Sequence, residues 1–358
     1  MIPSKAMVDI WSSDIRDIAA TNLPWHQFSG ARILISGAGG FLGGYFARCL
    51  LSLHRLGKIE KPVQVVAMVR DVTTARNRLA DIIDNPYLEV IEWDLRLISV
   101  PIIGCCQYVI HAASKASPRL YGRDPVGTLL PNTLGTAVLL EALQKQSSDP
   151  KGFLFLSSSE IYGSVMEESG LSETDYGTVH PTSLRACYGE SKRLGETLCV
   201  AWTQQYKTPT FIVRPFHTYG PGLQENDGRV FADFIFNVVR NENILMKSDG
   251  LARRAYCYAS DAIAGFFTVL LSGEPAMPYN VANPDGEMSV FELAELIVSL
   301  CPEKRLVVER QLAFEDNGYL AGNFSRLVPN VSRLKALGWS PKVAPFQGFQ
   351  RMLRAYQQ

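Results

Sequence analysis

The sequence predicts an α/β fold, in which a doubly wound parallel sheet of the Rossmann type is followed by a smaller, mostly helical C-terminal lobe. Three observations support this prediction. Short apolar and β-branched runs alternate with helical patterns from Arg32 onward, a glycine-rich turn follows the first run, and the alternation loosens after Gly220-Pro221-Gly222. Continuous apolar strands of this kind are typical of a parallel sheet covered by helices on both faces.

The pattern divides the chain into three regions. Residues 1–29 form an N-terminal extension, whose short amphipathic helix near residues 8–20 caps the sheet or, alternatively, serves as a lid or dimer arm. Residues 30–220 carry the predicted strands of the main sheet, at 33–35, 64–69, 88–91, 108–110, 153–156 and 211–213. Residues 221–358 form the smaller lobe, with helices near 229–241, 260–272 and 289–301 and with some segments that return to the main sheet.

The composition excludes several classes of protein. Lys plus Arg and Asp plus Glu both total 35 in 358 residues, so the chain has no net charge that would attract nucleic acid or an anionic membrane. No apolar run reaches the roughly 18 residues that a membrane-spanning helix needs. The charged N-terminus excludes the apolar core of a signal peptide. We therefore expect no nucleic-acid partner and no membrane partner.

The cysteines and histidines indicate neither a disulfide framework nor a metal site. The seven cysteines are scattered through apolar segments without a C-x-x-C motif, and the five histidines are dispersed. Scattered thiols of this kind are typical of a reducing compartment. The sequence therefore predicts a cytoplasmic protein without a bound metal.

The first strand of the sheet ends in a glycine-rich turn. Residues 36–43 read Ser-Gly-Ala-Gly-Gly-Phe-Leu-Gly, and a helical pattern follows them. Glycines at this spacing allow a tight turn, a close approach of the backbone to a pyrophosphate and a free helix N-terminus. The sequence therefore predicts a dinucleotide site that includes Gly37, Gly40, Phe41, Leu42 and Gly43.

The end of the second strand bears on which dinucleotide is bound. An acidic residue at this place would bind the adenosine ribose, but the sequence has Arg70, with Asp71 one place later. Arg70 either accepts a 2′-phosphate, which favours NADP, or stacks on adenine while Asp71 reaches the ribose. Asp94, after the third strand, either accepts from the adenine amino group or caps a helix. NAD and NADP both remain candidates.

Tyr188 and Lys192 are the clearest candidates for catalysis. Their spacing places phenol and ammonium on one face of a helix, where the cation is expected to lower the tyrosine pKa from about 10 toward neutral pH. Three serines, at 157–159, end the preceding predicted strand. A tyrosine in such a setting can act as a general base.

These motifs together resemble the extended short-chain dehydrogenase/reductases, in the branch that modifies nucleotide sugars. The resemblance covers about nine-tenths of the chain and implies a tightly bound, recycled NAD or NADP and a homodimer formed through Asn132-Thr-Leu-Gly-Thr136. It assigns Asp94 and Leu95 to adenine binding and Ala113 to the strand beside the nicotinamide ribose. It also assigns catalysis to Ser158, Tyr188 and Lys192, of which the last two also contact the cofactor.

Within this branch, the chain resembles the UDP-glucuronate decarboxylases. The similar stretches include Ser158-Ser-Glu-Ile-Tyr-Gly163, Asn226-Asp-Gly-Arg-Val230 and Arg254-Ala-Tyr-Cys-Tyr-Ala-Ser-Asp261. Three residues depart from the pattern: Ser158 replaces a threonine, Arg70 stands near the place of the acidic residue, and His217 replaces an asparagine. The last two leave the cofactor preference and the position of the sugar open.

The resemblance implies a reaction that begins with oxidation at C4 of the sugar. Tyr188 takes the hydroxyl proton, and Glu160 is expected on the same side of an extended strand end as Ser158, where it acts in the second step. A UDP-sugar is the favoured substrate, bound by Ser159, His217, Arg229 and Arg254. Decarboxylation is the first hypothesis, and 4,6-dehydration and 4-epimerisation are the alternatives. A non-catalytic NADP sensor of the same fold would normally lack the tyrosine or the lysine.

Overall fold

The computed structural model describes residues 2–164, 170–225, 227–246, 248–310 and 326–357. The strands are β1 (Arg32–Ser36), β2 (Gln64–Val69), β3 (Leu88–Glu92), β4 (Tyr108–His111), β5 (Gly152–Leu156), β6 (Thr210–Pro215), β7 (His217–Tyr219), β8 (Ile244–Met246), β9 (Arg253–Tyr258), β10 (Pro278–Val281), β11 (Glu287–Ser289), β12 (Val308–Arg310) and β13 (Arg326–Leu327). The helices are α1 (Lys5–Ala19), α2 (Phe41–Ser52), α3 (Val72–Arg78), α4 (Pro118–Arg123), α5 (Pro125–Asn132), α6 (Leu134–Gln146), α7 (Ala186–Tyr206), α8 (Val230–Val239), α9 (Ala259–Ser272), α10 (Val290–Ser299), α11 (Ser332–Ala336) and α12 (Pro345–Tyr356).

Seven parallel strands form the main sheet, in the order β10-β6-β5-β4-β1-β2-β3. This order confirms the predicted doubly wound α/β fold. The direction of winding reverses between β1 and β4, and ligands of such sheets bind at the carboxyl ends of the strands beside this reversal. The glycine-rich turn after β1 lies at that edge.

Alternate residues of the central strands enter two separate hydrophobic cores. Ile33 and Ile35 of β1 pack into the larger core with α1, α2 and α9, whereas Leu34 packs into a second core with α6 and α7. Each of these three side chains is completely buried. A strand buried on both faces reads as a continuous apolar run, which explains why the sequence predicted a parallel sheet.

The N-terminal extension packs firmly on the rest of the molecule. Helix α1 begins at Ser4, whose hydroxyl accepts a hydrogen bond from the Met7 backbone N–H at 3.2 Å, and it contacts α2, α9 and α12. Trp11 lies in this interface, and its indole N–H donates to the Pro221 carbonyl at 3.3 Å. This packing favours the capping role over a mobile lid.

The C-terminal region combines helices with short strands. Strands β11, β9, β13 and β7 form one small sheet, and β8 pairs with β12 in another. Strand β10 leaves this region and pairs with β6 at the edge of the main sheet. Chain segments beyond residue 220 therefore complete the main sheet as well as form the smaller lobe.

One segment of this fold is more apolar than the sequence analysis recognised. Helices α5 and α6 together, at 125–146, are long and apolar enough by composition to cross a bilayer, with a mean hydropathy of 1.3. In the fold, 56% of that window is buried. The expected absence of a membrane partner stays a prediction.

Candidate active site

The glycine-rich turn has no room for side chains. Gly37 has a φ of +69°, and a Cβ added to it would lie 2.7 Å from the Ala113 Cα. A Cβ on Gly43 would lie 2.3 Å from the Gly37 carbonyl oxygen. Gly40 is the N-cap of α2 and gives the helix no side-chain capping bond. The helix N-terminus is therefore free of a capping side chain, and this turn fits a dinucleotide pyrophosphate.

A buried chain of hydrogen bonds positions β4 beside this turn. The Ser36 hydroxyl lies 2.6 Å from His111 Nδ1 and accepts from the Ala113 N–H at 3.2 Å. Burial and the nearby Lys192 charge lower the pKa of His111 to about 3, so its ring is neutral. Nε2 therefore donates to the Pro131 carbonyl at 3.0 Å, and Nδ1 accepts from Ser36.

The adenosine end of the cleft has two acidic side chains that already have partners. Asp71 caps α3 and accepts from the Thr74 N–H at 2.9 Å and hydroxyl at 2.8 Å, and these bonds lower its pKa. Asp94 accepts from Arg96 Nε at 2.9 Å and from the Arg96 backbone N–H at 3.0 Å. Asp94 thus holds a turn and caps no helix. Arg70 is exposed beside both.

The apolar residues predicted for this site lie around the turn. Leu95 is buried, and a Cβ on Gly135 would lie 3.0 Å from its Cβ. Phe41 and Leu42, at the start of α2, are half-buried, and Phe41 packs edge-on against Tyr45 with ring centroids 5.8 Å apart. Phe41 and Leu42 thus lie beside the turn at the start of α2, whereas Leu95 packs against α6.

Tyr188 is almost completely buried in the cleft, with 5% of its surface exposed. Burial raises its pKa to about 12, and the Ser158 hydroxyl opposes this rise. Lys192 Nζ lies 5.7 Å from the Tyr188 ring centroid and donates to the Leu156 carbonyl at 2.5 Å. Burial lowers the pKa of Lys192 to about 7. The expected lowering of the tyrosine pKa toward neutral pH is therefore wrong for this structure, because burial outweighs the groups that lower it.

Comparison with known proteins identifies the group to which this arrangement belongs. The model of the NAD dependent epimerase/dehydratase family matches residues 33–282. The chain belongs to this family. UDP-glucuronic acid decarboxylase 6 of Arabidopsis thaliana is 31% identical over 326 residues, covering 90% of this chain and 88% of the relative. UDP-glucuronic acid decarboxylase 1 of Danio rerio is 31% identical over 91% of this chain and 72% of its own length.

Solved structures share the fold of this epimerase/dehydratase family member. The UDP-glucuronic acid 4-epimerase of Bacillus cereus superposes with a TM-score of 0.76 at 21% identity, covering 91% of this chain and 98% of that one. A dTDP-glucose 4,6-dehydratase of Streptomyces venezuelae gives a TM-score of 0.75 at 20% identity, with coverage of 91% and 96%. These structures confirm the predicted Rossmann-type fold, and the family model confirms the predicted membership of the epimerase/dehydratase group of short-chain dehydrogenase/reductases.

In this family member, Glu160 does not continue an extended strand as predicted. Ser158 is extended, but Ser159–Tyr162 form a 3-10 turn, and the Glu160 N–H donates to the Ser158 hydroxyl at 3.2 Å. The Glu160 carboxylate instead accepts from Arg185 at 2.7 Å. The carboxylate therefore faces a guanidinium, and its charge still acts on Tyr188.

Arg185 and Tyr121 join this cluster although the sequence analysis assigned them no role. The Arg185 guanidinium lies 5.0 Å from the Tyr121 ring centroid. The Tyr121 ring stacks on Tyr188, with centroids 5.0 Å apart and planes 13° apart. Arg185 lies one helical turn before Tyr188, so that spacing offered a signal, whereas Tyr121 lies on α4 and its contact arises only in the folded chain.

The residues predicted for substrate binding lie on the side of the cleft toward the smaller lobe. Arg229 is paired with Asp227, through Nε at 2.5 Å and the second guanidinium nitrogen at 2.8 Å. Its charge acts on both Tyr188 and His217, and Arg254 also acts on His217. Ser159 is buried at the start of the 3-10 turn. His217, Arg229 and Arg254 thus share one region with Tyr188, and Arg70 and Asp94 lie together at the adenosine end.

Arg78 also contacts the glycine-rich turn. Arg78, at the end of α3, donates to the Gly39 carbonyl at 3.2 Å and was not recognised from the sequence. Asn226 of the predicted substrate stretch lies outside the described residues. Within the described ranges, no three His, Cys, Asp or Glu side chains are grouped so that they would hold a metal ion.

Proposed function

We propose that the protein is an NAD-dependent lyase that decarboxylates UDP-glucuronate to a UDP-pentose. The observation that carries the proposal is the setting of Glu160. A 4,6-dehydratase needs a proton donor for the leaving C6 hydroxyl, but Arg185 holds the Glu160 carboxylate at 2.7 Å and the residue before it is Ser159. Decarboxylation has no hydroxide leaving group and needs no such acid. The relatives named as UDP-glucuronic acid decarboxylases support the same choice.

The residues around Tyr188 perform the proton transfers of this reaction. Tyr188, as phenolate, takes the proton of the C4 hydroxyl while Ser158 donates a hydrogen bond to the same oxygen. The glycine-rich turn and Lys192 would hold a nicotinamide dinucleotide, which would supply the hydride acceptor for C4 and the hydride that is returned at the end of the cycle. The 4-ketone makes the C6 carboxylate that of a β-keto acid, so the C5–C6 bond breaks and carbon dioxide leaves. The electron pair remains at C5, which then takes a proton.

The charges on the sugar side support a carboxylate substrate. Arg254 lies on β9 beside His217, and the positive charge of Arg229 acts to lower the pKa of Tyr188. A guanidinium matches a carboxylate or a phosphate through parallel hydrogen bonds. Arg254 is the cation that we assign to the C6 carboxylate, and Arg229, already paired with Asp227, helps to hold the tyrosine anion.

For the cofactor, we infer that the site accepts NADP as well as NAD. Asp71 is occupied in capping α3, with its carboxylate on the Thr74 N–H and hydroxyl. The Asp71 carboxylate keeps its charge, but it is bonded to the start of α3, and Arg70 supplies beside it the cation that a 2′-phosphate needs. Adenine stacking remains the alternative role for Arg70.

We also propose a homodimer and a reducing cytoplasmic location. Leu194 and Val200 on α7 are 48% and 45% exposed, and Val126 on α5 is 59% exposed. Exposed apolar side chains on neighbouring helices favour association with a second copy. All seven cysteines are free, and only Cys105 is exposed. These free thiols are expected where disulfides do not form.

The decisive assay separates three reactions that begin with the same oxidation. The protein with NAD is incubated with UDP-glucuronate, and we expect carbon dioxide and a UDP-pentose. Incubation with nucleotide hexoses is run in parallel. A base-sensitive keto product from a hexose without carbon dioxide release from UDP-glucuronate would replace decarboxylation with dehydration. Inversion at C4 without loss of mass would assign the protein as an epimerase.

Glu160 is tested in the same assay. Glu160→Gln is expected to lower the rate of carbon dioxide release by at least about 10-fold, because the pair with Arg185 loses its charge. Glu141→Gln is the matched control, since Glu141 forms an exposed ion pair with Lys145 on α6. Equal rates for the two variants would remove Glu160 from the mechanism.

A further inference from the structure

Trp11 of the N-terminal helix stacks on a buried arginine of α2. The Arg48 guanidinium carbon lies 3.6 Å from the centroid of the Trp11 ring, and Arg48 is only 4% exposed. The ring attracts the guanidinium and restricts its position. The family model begins at residue 33, so this contact joins α1, which lies outside the matched range, to the helix that follows the glycine-rich turn.

Arg48 in turn holds the end of α3. Its Nε donates to the Asp81 carboxylate at 2.8 Å, and one terminal nitrogen donates to the same carboxylate at 2.6 Å. That nitrogen also donates to the Arg78 carbonyl at 2.8 Å. Paired bonds between a guanidinium and a carboxylate fix direction as well as distance. Arg48 therefore fixes the backbone from which the Arg78 side chain extends.

The Arg78 side chain reaches the glycine-rich turn. One terminal nitrogen donates to the Gly39 carbonyl at 3.2 Å, and the other donates to Gln224 Oε1 at 3.3 Å. Gln224 lies three residues after Pro221, whose carbonyl accepts from the Trp11 indole at 3.3 Å. Trp11 therefore supports Arg78 from two sides, through α2 and through the segment that carries Gln224.

The peptide between Gly39 and Gly40 is held at both ends. Its carbonyl accepts from Arg78, and its N–H, that of Gly40, donates to the Gly37 carbonyl at 2.8 Å. Helix α2 starts immediately after this peptide, and its first N–H groups are the donors that a dinucleotide pyrophosphate uses. The direction of these donors therefore depends on a carbonyl that Arg78 holds in place.

We propose that Trp11, Arg48 and Arg78 are positioning residues for the cofactor, which makes the N-terminal helix a part of the dinucleotide site. The three side chains act through the glycine-rich turn, which they hold in the conformation that binds the pyrophosphate. This role does not depend on which reaction the protein catalyses, because every reaction considered begins with the same cofactor. Binding of NAD without a nucleotide sugar therefore tests it separately from decarboxylation.

The test is a double-mutant cycle on the binding of NAD. Arg78→Met is expected to raise the Kd of NAD about 10-fold, because the Gly39 carbonyl loses its charged donor. Trp11→Ala is expected to raise it about 5-fold, because Arg48 loses the ring that confines it. The double variant is expected to bind NAD as Arg78→Met does, since Trp11 acts through Arg78. Calorimetric titration of the full chain measures the Kd values.

Two further variants separate positioning from stability. Trp11→Phe keeps a ring against Arg48 and is expected to retain most of the affinity for NAD. Trp25→Ala is the matched control, because Trp25 is as deeply buried as Trp11 (3% against 5% exposed) but packs on Phe28 and Phe267 instead. We expect Trp25→Ala to lower the free energy of unfolding in urea and to leave the Kd of NAD unchanged.

Other results would overturn this role. An unchanged Kd in Arg78→Met would show that the turn does not need the guanidinium, and this half-buried residue gives an answer even if removal of Trp11 unfolds the protein. Additive losses in the double variant would make Trp11 a packing residue. A loss of NAD affinity in Trp25→Ala as large as that in Trp11→Ala would trace the weaker binding to lower stability.

Discussion

At the scale of single residues, burial displaces the two central groups of the site toward their uncharged forms. Tyr188 has a pKa of about 12 and Lys192 of about 7, so the protein without cofactor carries a neutral phenol and a partly neutral amine. Removing charges from water is costly, and here burial outweighs the opposite charges of Arg229 near Tyr188 and of Glu196 near Lys192. Catalysis therefore requires that the bound ligands change the charges around Tyr188.

Removal of the Tyr188 oxygen tests its assigned role. Tyr188→Phe is expected to fold and to bind NAD, because only the phenolic oxygen is lost, and to lower turnover by about 1,000-fold or more. Thermal unfolding and cofactor titration serve as controls alongside the rate of carbon dioxide release. Activity close to that of the parent on a confirmed substrate would exclude Tyr188 as the base.

Arg70 is tested through the cofactor. Arg70→Ala is expected to weaken NADP by about 10-fold while changing NAD much less, because only NADP has the 2′-phosphate that a guanidinium binds. Arg76→Ala, at an exposed arginine of the following helix α3, is the control. Equal weakening of both cofactors would assign Arg70 to adenine stacking, and no weakening would remove it from the site.

Spacing along the chain decided which site residues could be predicted. Gly37, Gly43 and the Tyr188–Lys192 pair are encoded within one turn or one helix, so their arrangement follows from local geometry. The pairs that form across the fold were missed, because Arg185 is 25 positions from Glu160 and Arg78 is 39 positions from Gly39. The hydrogen bond from the Lys192 amine to the Leu156 carbonyl was also not predictable, because any residue could supply a backbone carbonyl.

At the scale of secondary-structure elements, helix α1 is the feature whose role could not be predicted. Its amphipathic pattern predicted a helix near residues 8–20, and the helix spans Lys5–Ala19. Its polar residue Asp14 is completely buried and accepts hydrogen bonds from Tyr45 at 3.0 Å, Tyr258 at 2.9 Å and Arg351 at 2.9 Å. These partners lie on three other elements, which no local pattern could indicate.

Asp14 makes stability depend on pH in an unusual direction. Burial raises its pKa from 3.8 to about 6, so between these values the folded protein binds more protons than the unfolded chain. The resulting stabilisation is fully present below about pH 4 and is lost as the pH rises through about 6.

Asp14→Asn removes this titration. On lowering the pH from 7 to 5, we expect the free energy of unfolding of the parent to rise by about 1 kcal/mol relative to the variant. Urea unfolding of both proteins at the two pH values gives the comparison, and the other titrating groups cancel because both proteins share them. A difference between parent and variant that is the same at pH 5 and pH 7 would contradict the assignment.

At the scale of the whole molecule, the sequence predicted the parallel sheet and its helical cover but not its complete edge. The six predicted strands are present, and those in the middle of the sheet are continuous apolar runs, whereas β3 at its edge carries Glu89. Strand β10, Pro278–Val281, joins them from the region assigned to the smaller lobe, and its pairing with β6 depends on the path of the chain between them. The sequence of these four residues does not specify the strand with which they pair.

The proposed dimer is tested on the exposed side of α7. Leu194→Arg is expected to convert a dimer to a monomer, because it places a charge in an apolar contact between two copies. Sedimentation velocity measures the mass. Leu245→Arg, on a 39% exposed leucine of β8 in the smaller lobe, is the control and is expected to remain dimeric. A monomeric parent, or a dimeric Leu194→Arg, would contradict the proposed interface.

Helix α1 packs against α12, so one of its contacts can form only after the C-terminal helix has been synthesised. The Ser4 hydroxyl donates to the Ala355 carbonyl at 3.0 Å across 351 positions, and Asp14 pairs with Arg351. At roughly 5–20 residues per second, the first helix leaves the ribosome tens of seconds before its last partner is made. The side of α1 that packs on α12 therefore stays uncovered until the residues near 355 have been made. Helix α1 is therefore made long before α12, and its packing is completed only when α12 is in place.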